Sequence, residues 1–206
     1  MAGKRSSERY RIAGNPKPAI HIIVFLVWCA VSAVFASGDL AAASSGEQGS
    51  LEIRIKDHRE AIGDFLRLTL KLDKIAISPK TGLKFWKSGW QDLSPSLESL
   101  DLTKYTGNQS VTVFKGEINA GAFDAIDLKL KGLEGILKKT QRSATIKNTI
   151  GPIKLSFTVQ AQNATVIVLD LAILDVSDHP PLNYELGIKG WELYINGRLS
   201  DKVPPG

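Results

Sequence analysis

From Leu51 onward, apolar residues recur at every second position. Ile153, Leu155, Phe157 and Val159 alternate with Lys154, Ser156, Thr158 and Gln160, which predicts a strand with one face in a core and the other in water. Ile126, Leu128 and Leu130 alternate with Asp127, Lys129 and Lys131 in the same way. Leu66, Leu68, Leu70 and Leu72 form another face, but Ile75 and Ile77 follow in the opposite parity. A one-residue slip turns side chains to the other face, so a bulge or bend is predicted near Asp73-Lys74. Thr165 to Leu174 is apolar on both faces apart from Asp170, the pattern of a central strand covered on both sides. Leu51-Ile53-Ile55, Val111-Val113, Tyr184-Leu186-Ile188 and Trp191-Leu193-Ile195 supply further strands.

Turn formers punctuate these runs: Gly82, Gly89, Gly107, Gly121, Gly151-Pro152, Asn163 and Gly190. Helix is confined to a turn or two, in Leu97 to Tyr105 or Gly132 to Lys139. Many short strands with little helix predict a mainly β, two-sheet antiparallel sandwich over residues 51–200, with 201–206 as a tail. Residues 37–50, SGDLAAASSGEQGS, are small and polar with no sustained period and read as a flexible tether.

The amino-terminal part has a different pattern. Residues 19–36, AIHIIVFLVWCAVSAVFA, form an apolar run behind Lys4, Arg5, Arg9, Arg11 and Lys17. Such a run is about as long as the roughly 20 helical residues that span a bilayer core, and the basic flank favours a cytoplasmic amino terminus. Residues 1–36 are therefore expected to be a signal peptide, cut near Val34-Phe35-Ala36 or Ala41-Ala42-Ala43, or an uncleaved signal anchor. Either outcome places the remainder outside the cytoplasm, as a secreted, periplasmic or cell-surface domain. Contact with the membrane is expected only through the apolar segment, if it is not cleaved.

Charge and cysteine narrow the picture. Five Lys/Arg against Glu8 and Asp39 in residues 1–43 supply most of the formal +5, so the exported part has no concentrated basic face and no nucleic-acid partner is expected. Cys29 is the only cysteine and lies in the apolar run. The exported domain can form no internal disulfide and must rely on its core.

Several ordered segments resemble the prokaryotic family called domain of unknown function 4382. These are the opening strand LEIRIKD ending in Asp57, the long LRLTLKLDKIAI strand, and Trp90-Gln91-Asp92-Leu93 followed by Leu100-Asp101-Leu102. Ile118 to Phe123 (INAGAF), Ile153 to Val159 and the Val168-Leu169-Asp170 strand complete the order. The resemblance implies an exported or envelope-associated domain with an immunoglobulin-like or transthyretin-like sandwich. It carries over no catalytic residues. Asp57-His58-Arg59-Glu60 stands where the family commonly has a small, Pro-containing turn.

The motifs of serine-hydrolase elbows, phosphate-binding loops and dinucleotide fingerprints are absent from the sequence. Neither His58 nor His179 has a second His or Cys at ligand spacing, so both read as solvated loop residues. Asp170, Asp175 and Asp178 are the candidate metal ligands, for calcium, without the D-x-D-x-D-G array that would make the case strong. Phe85, Trp86 and Lys87 are the candidate contact residues, because an aromatic loop with a polar rim suits a partner or a sugar ring. Trp90 and Trp191 are expected in the core. Asn108-Gln-Ser110 and Asn163-Ala-Thr165 match the N-glycosylation pattern. No cofactor is expected. The reading that results is a non-enzymatic envelope or extracellular module that binds an envelope protein, a glycan or a small ligand, or serves a structural role. The alternatives are a calcium-binding adhesion module or a carboxylate-dependent hydrolase using Asp170 with Glu185 or Asp175. Fractionation of a tagged chain is expected to place residues 51–200 outside the cytoplasm, and a folded, full-length cytoplasmic pool would contradict the leader assignment.

Overall fold

The computed structural model describes residues 46–80, 89–179 and 181–204. The leader, Gly82 and the candidate contact residues Phe85, Trp86 and Lys87 lie outside the described residues. Among those described, no helix is long and apolar enough to cross a membrane.

The chain is mainly β. In order it forms β1 (Gln48–Asp57), a 3-10 turn (Ala61–Asp64), β2 (Phe65–Pro79), β3 (Gln91–Leu93) and β4 (Ser99–Asp101). A second 3-10 turn (Leu102–Lys104) leads to β5 (Val111–Asn119), β6 (Gly121–Leu137) and β7 (Ser143–Asn148). The last strands are β8 (Ile153–Val159), β9 (Ala164–Asp175), β10 (Asn183–Ile195) and β11 (Arg198–Val203).

Hydrogen bonding links them along the path β3-β2-β6-β7-β10-β9-β1-β5, with β11 on β10, β4 on β2 and β8 on β6. β8 also packs near β1 and β9, so the sheet curls until it is nearly closed. β1 runs parallel to β9, from Ser50 opposite Ala164 to Asp57 opposite Leu171. β7 is the seam between the two halves, antiparallel to β6 at Ser143 and Ala144 and parallel to β10 from Thr145 to Asn148. The interior is one cluster that includes Leu51, Ile53, Ile55, Phe65, Leu169 and Leu186. Phe65 meets Tyr184 edge-on at 4.8 Å, and Phe123 stacks on Phe157 at 5.0 Å.

Alternation accounts for β8, whose inward residues Ile153, Leu155, Phe157 and Val159 are all buried, and for the buried run of β9. The parity switch in β2 is a register shift between Leu72 and Lys74, at the predicted place. Other expectations need correction. Leu66 does not share the face of Leu68, Leu70 and Leu72 but is 57% exposed, because a further shift separates Phe65 from Arg67. Asp127 is buried although its parity looked wet. Gly132 to Leu137 is part of strand β6, whereas Leu97 to Tyr105 contains only β4 and a single 3-10 turn. Tyr184 to Ile195 is one strand with a bulge between Ile188 and Gly190, not two strands split by a turn at Gly190. β1 begins at Gln48 and β11 continues to Val203, so regular structure extends past both expected limits of residues 51–200.

At Gly135, a Cβ would lie 2.5 Å from Phe65 Cε1 and 2.6 Å from Ile146 Cδ1. These neighbours belong to β2 and β7, and Phe65 is fully buried. Gly135→Ala is therefore expected to destabilise the fold by about 1–3 kcal/mol through overpacking, while Gly151→Ala, where nothing lies within 4 Å of the new Cβ, should leave the urea midpoint in place.

Candidate functional site

The register that buries one row of each central strand aligns the other row on the outside. On β1 the outward residues are Glu52, Arg54 and Lys56. They stand opposite Val166, Val168 and Asp170 of β9. Arg54 also stands opposite Thr112 of β5. Across β9, Val166 and Val168 face Tyr194 and Glu192 of β10, and Glu192 faces Lys202 of β11. Five adjacent strands thus present one polar, charged outer face over a floor of valines.

This face is more enclosed than a solvent face usually is: Glu52, Val168 and Asp170 are each no more than 7% exposed. A pocket of about 500 Å³ lies along it, bordered by Arg54, Lys56, Asn108, Val166, Glu192 and Tyr194. A second, of about 370 Å³, adjoins it through Lys56, Asn108 and Glu192 and reaches His58, Arg59 and Asp170. Together they form an elongated groove.

The charged walls are fixed by mutual contacts. Glu52 accepts hydrogen bonds from Arg54 Nε at 2.6 Å and Thr112 Oγ1 at 2.7 Å. Lys56 Nζ donates to Glu192 Oε1 at 3.0 Å and lies 3.7 Å from Asp170 Oδ2. Tyr194 donates its hydroxyl proton to Glu192 Oε2 at 2.7 Å. Burial by itself pushes the Glu52 and Glu192 carboxyls upward, but these donors outweigh it and hold both below the usual carboxylate range. The same bond to Glu192, with burial added, pushes the Tyr194 phenol up. The donors and acceptors of these walls are thus held in place by one another.

One end of the groove is built by the turn after β1. Asp57 donates its backbone N–H to Tyr105 O at 2.8 Å and accepts at its backbone carbonyl from Gly107 N at 3.1 Å. Its Oδ2 accepts from Arg59 N at 2.7 Å, closing a tight turn in which Arg59 has φ of 70°. Gly107 has φ of 67°, and the Arg59 guanidinium occupies the space its Cβ would need, 2.2 Å from Nη2. Glycine is required there for both reasons. His58 is not a solvated loop residue as its sequence context implied; its Nδ1 lies 3.0 Å from Asp170 Oδ2.

The candidate metal ligands are not gathered. Asp170 is in the groove with Lys56 and His58. Asp175 accepts from Ser177 N at 3.0 Å and Ser177 Oγ at 2.6 Å, which hold its carboxyl below the usual range. Asp178 is exposed. Among the described residues, no three His, Cys, Asp or Glu side chains are grouped so as to hold a metal ion. Neither proposed acid/base pairing forms a dyad, since Glu185 pairs with Lys147 at 3.0 Å and Asp175 with Ser177. Trp191 is buried as expected, but Trp90 is 39% exposed: it precedes β3, a three-residue strand that covers too little of β2 to enclose an indole. Thr165, the hydroxyl residue of the second glycosylation triplet, is 1% exposed. Arg54, Lys56, Glu192 and Tyr194 were not singled out from sequence, because outward residues at alternating positions read as an ordinary wet face.

Fold and groove together define a class: a mainly β domain with a polar groove on the outside of its central strands. The chain belongs to the family described as Domain of unknown function (DUF4382), whose model matches residues 48–178. That span runs from the first residue of β1 to just past β9 and includes the turn and β9 walls of the groove. No curated protein and no solved structure matches the chain.

Burial separates two aromatic sites by effect. Trp90→Ala is expected to change stability by no more than about 0.5 kcal/mol, while Tyr184→Ala, which empties a site 1% exposed beside Phe65, should cost about 3–5 kcal/mol. Equilibrium urea unfolding of both variants checks the difference.

Proposed function

We propose that this chain is an exported, non-enzymatic binding module, carried out of the cytoplasm by residues 1–36 and held or released according to whether that leader is cut. In this reading the curled sheet is a variant of the immunoglobulin-like or transthyretin-like sandwich, and its ligand lies in the groove outside β1, β9 and β10. The observation that carries the reading is the pre-set polar wall, in which Lys56 and Tyr194 both bind Glu192 over a valine floor. Binding sites combine apolar surface with a few fixed polar groups in this way.

Of a protein, a glycan and a small ligand, a saccharide chain suits the groove best. Two adjoining hollows match successive rings. Ion-paired carboxylates and amines offer hydroxyls both acceptors and donors, and the half-buried Tyr194 offers an aromatic side chain beside them. The reading is non-enzymatic because the groove carboxylates Glu52 and Glu192 are held below the usual range by their donors, and the neighbouring carboxyl that is pushed up, Asp57, is 0% exposed, whereas acid/base hydrolysis needs a protonated carboxyl within reach of the substrate. Phe85, Trp86 and Lys87, a few positions before Trp90 in the sequence, stay in the proposal as a second contact element.

Titration of isotope-labelled protein with soluble neutral and acidic oligosaccharides is expected to shift the amide signals of residues 52–56, 166–168 and 192–194. Tyr194→Ala should weaken that binding at least about tenfold, a loss of about 1.4 kcal/mol, in a variant that still unfolds cooperatively. Saccharide binding that leaves these signals unmoved, or that Tyr194→Ala does not weaken, would remove the groove from the proposal. A panel that gives no binding at all would remove the saccharide.

A further inference from the structure

The inward row of β1 is Leu51, Ile53, Ile55 and Asp57, and all four are 0% exposed. Alternation thus sets a carboxyl group where the pattern calls for an aliphatic side chain. Its Oδ2 accepts from Arg59 N, but Oδ1 is buried and has no hydrogen-bond partner. The cations around it are directed elsewhere. Lys56 binds Glu192 and Asp170, His58 binds Asp170, and Arg59 lies against Gly107. Among the described residues, none comes within ion-pair distance of Asp57. A carboxylate with no counter-charge and one bare oxygen pays a large desolvation cost, and such groups escape it by taking up a proton.

We propose that Asp57 is a proton-binding site: a neutral carboxylic acid, protonated on Oδ1, that clamps the 57–60 turn to the Tyr105–Gly107 segment and loosens that clamp when it ionises. Oδ1 is the atom assigned because Oδ2 already accepts from Arg59 N. The clamp consists of the two backbone bonds of Asp57 to Tyr105 and Gly107. The titratable groups that face this corner are Lys56, His58, Arg59 and Glu60 on β1 and its turn, and Tyr105 on the clamped segment. Asp170 of β9, Glu192 of β10 and Lys202 of β11 complete them. Ionised Asp57 would add a second negative charge near Asp170. Burial most of all raises its pKa, to about 6; the Arg59 amide and His58 oppose this, and Asp170 and Glu60 assist it.

The sign of the pH effect follows. An acid with its folded pKa above its unfolded value of 3.8 keeps its proton longer in the folded state, so folding is favoured at low pH and loses ground as pH rises from about 4 through about 6. Two units of difference correspond to about a hundredfold in the folding equilibrium.

Urea unfolding of the full chain from pH 4 to pH 7.5 should show this loss in wild type relative to Asp57→Asn, an isostere that keeps an acceptor for Arg59 N. The ratio of the two folding constants is expected to change by about a hundredfold across the interval. A pH-independent ratio would overturn the proposal. If Asp57→Asn fails to fold, carbon-13 titration of the wild-type side chain decides. A carboxyl midpoint near 6, with a drop in the exchange protection of the Gly107 amide through the same range, supports the clamp. A midpoint in the ordinary carboxylate range, or unchanged protection at Gly107, overturns it.

Discussion

Because β1 and β9 run parallel, no hairpin can join them, and the chain between must cross from one end of the sheet to the other. β2 through β8 form that crossover, and they build the second half of the sheet on the way. One register therefore decides the character of two surfaces. With Ile53 opposite Ile167 and Ile55 opposite Leu169, the aliphatic row is internal and the Glu52-Arg54-Lys56 row is external. A slip of one residue would exchange them, putting three charged side chains in the core. The groove is thus a by-product of the packing that stabilises the fold.

Alternation was legible wherever a strand meets the core with one face, as in β8, and wherever both faces are covered, as in β9. It located the irregularity in β2 as well, since parity is a property of the local sequence. Strands without such a pattern escaped. β7 has only one or two apolar residues to offer, and its pairing comes from the two neighbours between which it is inserted. The segment Gly132 to Leu137, expected to make a helical turn, extends β6 because Phe65 to Lys71 of β2 lies beside it. Trp90 was misplaced for a related reason: average burial says where indoles usually go, while local cover depends on the length of the strand that follows.

The site was much less legible than the fold. Lys56, Asp170 and Glu192 meet only through two strand pairings, and neither pairing partner is specified by the residues themselves. His58 looked like a lone histidine, and its partner Asp170 looked like part of an acidic cluster with Asp175 and Asp178. Strand geometry separates that cluster, because Asp170 and Asp175 are five residues apart and so fall on opposite sides of β9. One signal was available in advance. In LEIRIKD, Asp57 continues the parity of Leu51, Ile53 and Ile55, so the sequence already contained a carboxyl group aligned with a core row.

The seam at β7 has a mechanical consequence. Only two residue pairs attach it to β6 and four to β10, whereas β2–β6 and β9–β10 are joined along most of their lengths. Cooperative units in proteins open first where the fewest backbone bonds and buried contacts resist. Strain applied across the domain would therefore unzip this strand while the long ladders on either side persist, so that the curled sheet parts into two slabs along a line set by its shortest bridge.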